Sequence, residues 1–417
     1  MKILICAYAC NPYLGSEAGV GWGWSLIAAR SHEVWVITDE IHRGDIERYL
    51  AENPNRNLHF CYIRKTPFFR FTEAHFRLLP LLAWRAYFCW QHDAYQRGMR
   101  LHREIGFDLV HNLTYVGFRA PGEWYRSGIP FVWGPLGGLE QTNLRLAWAL
   151  GFKCFFWFFC RNILNWRDKV FSLRVRRGMR AAAGGIISAT SGIQREIRNY
   201  YGQESTVISE IGMELPERED FVPFPRKQDE PLKLIWIGRM YPGKGFAFVL
   251  KALMQLPEEI NWELQAFGDG ECRRKWECLA DRAGLGDRIH WMGNRPRAEV
   301  IQAQKSSHAL LISSIYELSC TCAIEALAAG IPAIAPDICG FPESVPDGCG
   351  IRFPARNPKE FITGLRDGIV RLYRNEAERR ALCCNAKVRV REFSWERKAE
   401  LLKQVYSAKL RMKNCQQ

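Results

Sequence analysis

Residues 1–38, MKILICAYACNPYLGSEAGVGWGWSLIAARSHEVWVIT, hold one complete folding unit. After Lys2 the run to Ala9 is continuously apolar, which suits a strand covered on both faces. A turn rich in Gly and Asn follows it, then a helical pattern through 22–30 and a second strand-like run at 33–38. Strand, helix and strand in immediate succession predict a βαβ unit, and hence a parallel sheet with helices packed on it. Further strand-like pieces at 58–63, 108–112, 130–133 and 185–188, with helical patterns between them, extend this into a doubly wound sheet.

At 213–230 the composition changes to a charged, proline-rich run, MELPEREDFVPFPRKQDE, that has no face to bury and reads as a linker. The alternation then restarts, with strands expected at 232–237, 262–267, 289–291 and 309–312 and helices at 246–255, 272–283 and 297–304. The chain is therefore expected to form an α/β protein of two Rossmann-like domains. Residues 1–212 would be the first domain, 213–230 the linker and 231–393 the second domain. The last segment, 394–417, carries apolar residues at helical spacing and is either a helix crossing back to the first domain or one packed within the second.

At 417 residues the chain exceeds one ordinary core, and 47% hydrophobic residues exclude a mostly disordered protein. The formal charge of +14 calls for an acidic partner: nucleic acid, an anionic membrane surface or a phosphorylated small molecule. Residues 1–212 hold 26 Lys+Arg against 17 Asp+Glu, so the excess lies mainly in the first half. The 15 cysteines, odd in number and scattered, suit reduced thiols in the cytoplasm, and no paired CxxC spacing suggests a metal. The apolar opening is too short, and runs too directly into a turn, for a secretory signal. Apolar stretches at 78–90 and 147–159 fall short of the ~20 residues of a spanning helix.

Phosphate chemistry concentrates in the second half. In ELSCTCAIEALAAG, 317–330, a loop carboxylate, Glu317, precedes a short helix closed by Gly330. Amides near Leu318, Ser319 and Cys320 would form a positive helix end suited to phosphate, while Glu325 would accept hydrogen bonds from vicinal hydroxyls. On spacing alone, an exposed helical Glu325 and a loop charge at Glu317 explain the stretch equally well. In IGRMYPGKG, 237–245, a strand runs into a glycine-bracketed turn carrying Arg239 and Lys244, two cations able to neutralise a pyrophosphate. Gly268, in Gly-Asp-Gly, and Gly293 end strands where backbone can approach a ligand, though each is also an ordinary turn residue. In the first half, Gly15, Gly19 and Gly21 do not give the dinucleotide pattern G-x-G-x-x-G. His111 ends the strand-like DLVH, where either a structural or a sugar-binding role is open. No two aspartates stand two apart, so no metal-binding pair of that kind exists.

Taken in order, G-R-x(4)-K-G, G-D-G, the M-G turn, E-x(7)-E and A-x-G-I-P-x-I-A over 232–345 resemble the family 4 retaining glycosyltransferases. The first half is similar more loosely, through its Gly-rich first loop, DLVH and PFVWGPLGGLE at 130–140. The resemblance implies a GT-B fold, two domains facing across a cleft, and transfer from a nucleotide-diphosphate sugar without a metal or other cofactor. It implies that Arg239 and Lys244 hold the diphosphate, Glu325 the ribose and Glu317 the transferred sugar, with His111 and Gly15 contributed by the first domain. Leu318-Ser319-Cys320 departs from the family's Gly-Phe-Pro at that place, which leaves the donor sugar open.

The expected activity is retaining hexosyl transfer to a glycan or lipid-linked acceptor in polysaccharide synthesis. The aromatic, basic stretches 68–90 and 147–169 suit a protein peripheral on the inner face of the cell membrane; a buried helical hairpin is the alternative. Rival readings are a sugar-nucleotide epimerase or phosphorylase and, from another class, a nucleic-acid-binding protein, for which no recognition signature accompanies the charge.

Overall fold

The computed structural model describes residues 1–75, 80–115, 117–215, 221–227 and 230–414. The chain forms two compact units. The first comprises Met1–Glu140, Asn165–Met213 and Trp395–Gln417, and the second Gln141–Leu164 and Glu214–Ser394.

The first unit is built on seven parallel strands: β1 (Lys2–Ala7), β2 (Glu33–Asp39), β3 (Leu58–Ile63), β4 (Leu109–Thr114), β5 (Phe131–Leu136), β6 (Ile186–Ser188) and β7 (Thr206–Val207). Their order is β3-β2-β1-β4-β5-β6-β7, so the winding direction reverses between β1 and β4. Ile3 and Ile5 of β1 have no exposure, as expected for a strand covered on both faces.

The C-terminal helix, Trp395–Asn414, contributes Leu402, Val405 and Tyr406 to this first core. Its entry is fixed by a notch. A Cβ at Gly23 would stand 2.2 Å from the Trp395 indole and one at Gly212 2.5 Å from it, so both positions exclude any larger residue.

The second unit repeats the plan with β8 (Leu232–Ile237), β9 (Trp262–Phe267), β10 (Ile289–Gly293), β11 (Ala309–Leu311), β12 (Ala333–Pro336) and β13 (Gly350–Phe353). The order is β10-β9-β8-β11-β12-β13, all parallel, with the reversal between β8 and β11. One segment departs from the sequence reading. Residues 141–164, assigned there to the first domain, belong to the second unit, because Leu146, Ala147, Cys154 and Phe158 enter its core.

Candidate active site

In open α/β sheets ligands bind beyond the carboxyl ends of the strands, where the winding reverses. In the second unit that point lies between the loops leaving β8 and β11. The two loops are laced together through Ser313, whose hydroxyl donates to the Lys244 carbonyl at 2.7 Å and accepts from Trp236 Nε1 at 2.9 Å. Ile315 N–H donates to the Gly243 carbonyl at 3.1 Å. Gly245 has φ +64°, and a Cβ there would stand 2.1 Å from the Ser313 oxygen, so glycine is required for the loops to meet.

This lacing delivers Lys244 to Glu317. Lys244 Nζ lies 2.5 Å from Glu317 Oε1, with the side chains 19% and 20% exposed. Burial alone would push the Lys244 ammonium down, but the Glu317 carboxylate, with Cys322 and Cys320, outweighs it and holds Lys244 above its usual range. Lys244 is therefore charged at all ordinary pH values. Arg239 is exposed, with its guanidinium carbon 5.2 Å from the Tyr241 ring centre. Burial raises the Tyr241 hydroxyl, Glu317 raises it further, and Lys244 and Arg239 pull it back. One tyrosine thus feels three of the charged groups singled out in the sequence.

The helix Thr321–Ala329 begins beside them, with Cys320 as its N-cap and Gly330 closing it at φ +73°. Here the sequence reading needs correction. Cys320 N–H is committed to Ser344 Oγ at 3.1 Å, and Leu318 and Ser319 lie in the turn before the helix. The amides without an intrahelical acceptor are those of the first turn, beginning at Thr321 and Cys322. The Cys320 and Cys322 sulfurs lie 3.4 Å apart. The hydrogen bond to Cys322 and burial keep the proton on Cys320, while Cys322 also feels Lys244, Glu317 and Glu325. Glu325 thereby joins the same neighbourhood. Its carboxylate, 10% exposed, accepts from Arg297 Nε at 2.7 Å, and Arg297 itself is 71% exposed.

Two glycines have a structural job instead of the proposed ligand contact. The Gly268 amide donates to the Gly293 carbonyl at 2.8 Å, and a Cβ on Gly268 would stand 2.0 Å from the Gly238 oxygen. Both residues bring the ends of β8, β9 and β10 together, and those backbone groups are not free for a nucleobase.

In the first unit, His111 also departs from the expected role. It is fully buried, with Nε2 2.7 Å from the Gly134 carbonyl and Nδ1 2.8 Å from the Tyr406 hydroxyl. A carbonyl can only accept, so the proton sits on Nε2 and Nδ1 accepts from Tyr406. Both ring nitrogens are used in tying β4 to β5 and to the C-terminal helix, and neither meets a sugar. Gly15 caps the helix Ser16–Ala29, and a Cβ there would touch nothing, so the fold itself does not require glycine at this position.

Residues missed from the sequence are Ser313, Arg297 and Ser344. Each acts through a partner distant in the chain, with no local pattern to mark it.

Residues 217–389 match the family described as glycosyl transferases group 1. This part of the chain is a group 1 glycosyl transferase domain. The chain is 30% identical over 185 residues to the lipopolysaccharide 1,6-galactosyltransferase of Escherichia coli, covering 43% of this chain and 50% of that protein. It is 24% identical over 322 residues to the glycogen synthase of Thermus thermophilus, covering 71% and 68%. The first curated relatives are matched over about half their own length, 47 to 50%. Among solved structures, Anabaena HepE in complex with UDP superposes with a TM-score of 0.59 at 16% identity, covering 98% of this chain and all of that one. Two parallel-sheet units with such neighbours constitute the GT-B fold.

Proposed function

We propose that this glycosyltransferase moves a hexose from a nucleotide-diphosphate sugar to an acceptor hydroxyl with retention of configuration. The acceptor is a lipid-linked saccharide or another glycan precursor of a cell-surface polysaccharide, met at the inner face of the membrane. The observation that carries this reading is the Lys244–Glu317 pair, set with Arg239 beside the start of the helix Thr321–Ala329 at the reversal point of the second sheet.

The diphosphate lies against Arg239, Lys244 and the first-turn amides of that helix, which neutralise it without a metal. Glu325 grips the ribose hydroxyls. Arg297 covers it in the free protein, but an ion pair with so exposed a partner is worth about 0–1 kcal/mol and yields readily to a diol. Glu317 holds Lys244 in place before the donor arrives and then turns toward the transferred sugar. The acceptor oxygen forms its bond to the anomeric carbon on the face from which the diphosphate leaves. The leaving oxygen takes the acceptor proton, while Arg239 and Lys244 stabilise its growing charge. Gly15, where the first unit has open space, borders the acceptor.

A panel of nucleotide sugars tests this. One donor should raise the melting temperature, and nucleoside diphosphate should be released from it with acceptor present. Release that ignores the acceptor, or no stabilisation by any donor, would sink the proposal.

A further inference from the structure

An ordinary surface helix turns its apolar stripe inward and its polar face to water. The helix Phe152–Phe171 sends only Cys154 and Phe158 of its apolar residues into a core and carries most of its aromatic residues on the opposite side. Its inward positions include Asn162, Asn165 and Lys169, all buried and all satisfied. Asn162 Oδ1 accepts from the Thr142 amide at 3.0 Å and its Nδ2 donates to the Thr142 carbonyl at 2.8 Å. Asn165 donates to the Glu140 carbonyl at 3.3 Å and accepts from Arg119, and Lys169 pairs with Glu196. These contacts fix the rotation of the helix about its axis. With that rotation Phe152, Phe156, Trp157, Ile163, Leu164 and Trp166 face outward, 44 to 68% exposed.

The charge along this stretch of sequence has nearly one sign. Residues 144–180 contain nine Lys and Arg and one acid, Asp168, which is already paired with Arg119 and Arg167. Lys153 and Arg167 on the helix itself, and Arg145 just before it, are exposed. A second copy docking through the same patch would oppose these cations to themselves. An apolar, aromatic face about 30 Å long, bordered by cations, matches the boundary of an anionic bilayer instead. Among the described residues no helix is long and apolar enough to cross a membrane.

We infer that the helix Phe152–Phe171 is an interfacial anchor, lying in the plane of an anionic lipid surface with Phe152, Phe156, Trp157 and Ile163 in the acyl boundary and its own Lys153 and Arg167 among the headgroups. This names the element by which the enzyme meets the membrane that carries its acceptor. It builds on the reading of a lipid-linked acceptor, but its test contains neither donor nor acceptor, so anchoring and transfer fail separately.

The full chain is floated with phosphatidylcholine vesicles made with and without phosphatidylglycerol, at low and high salt. Wild type should float with the anionic vesicles and retain part of that binding at high salt, since apolar insertion is not screened. The double variant Phe156→Glu, Trp157→Glu should lose at least about tenfold in partitioning, with an unchanged unfolding curve because both side chains already face water. Lys153→Gln with Arg167→Gln should lose only the salt-sensitive part. No flotation of wild type, or equal flotation of wild type and the double glutamate variant, overturns the anchor. Dimers in sedimentation that the glutamate pair dissolves would assign the face to a second copy and overturn it equally.

Discussion

The two sheets of this protein share one winding plan, yet their carboxyl edges are furnished differently. At the end of the first, Asp39 and Lys65 form an ion pair, 1% and 5% exposed, beneath the Tyr8 ring, and His111 has both nitrogens occupied. At the end of the second, Lys244, Glu317 and Glu325 remain partly open to solvent and Arg239 is exposed. Topology supplies a concave edge in both units. What the second edge adds is charge kept within reach of a ligand.

The sharpest way to break this contrast is to remove one lysine from each edge. Lys244→Ala should fold normally and lower turnover by about 10² to 10³, measured as nucleoside diphosphate release, because a charge-stabilising group is lost; Arg239→Ala should behave alike. Lys65→Ala should instead cost about 3–5 kcal/mol of stability in urea unfolding, since it leaves Asp39 buried without its partner. If Lys65→Ala proved stable, or Lys244→Ala kept wild-type turnover, the contrast would dissolve.

His111 sharpens it through pH. Burial lowers its pKa to about 4 from the ordinary 6.5, despite the opposing bond to Gly134. Between those values the unfolded chain binds a proton that the folded chain refuses, so stability falls as pH drops from about 6.5 to about 4. The full loss is on the order of 3 kcal/mol, and at pH 7 the term vanishes. His111→Asn should flatten that slope in unfolding experiments and leave the donor KM unchanged. A raised donor KM would return His111 to the sugar.

Smaller effects follow. Glu325→Gln should raise the donor KM by about 10- to 100-fold, the value of hydrogen bonds to a charged group. Arg297→Ala should change it only slightly, since its ion pair is exposed. Ser344→Ala should cost about 1 kcal/mol of stability by stripping the Cys320 amide of its acceptor, with the donor KM little altered.

Much of this was legible in the sequence, for identifiable reasons. Strands buried on both faces are unbroken apolar runs, so β8 and β9 match their expected bounds at 232–237 and 262–267. Lys244 and Glu317 stood out because both follow strands into glycine- or helix-bounded turns. The misreadings share a different cause. His111, Gly268 and Gly293 look like ligand contacts until the partner of each polar group is known, and those partners lie on other strands or, for Tyr406, on the C-terminal helix. Residues 141–164 were placed in the wrong unit because their apolar residues face two directions, and periodicity does not say which side is covered. β12 and β13 were not anticipated as strands.

The notch that Gly23 and Gly212 make for Trp395 sets an order of events during synthesis. The strands of the first unit are synthesised well before Leu402, Val405 and Tyr406, and its core lacks them until then. The second unit, ending at Ser394, can close while its elder neighbour is still missing a wall. A stalled nascent chain ending at 394 should therefore show a protease-resistant second unit beside a digestible first, so the helix Trp395–Asn414 acts as a late-arriving clasp on a core laid down long before it.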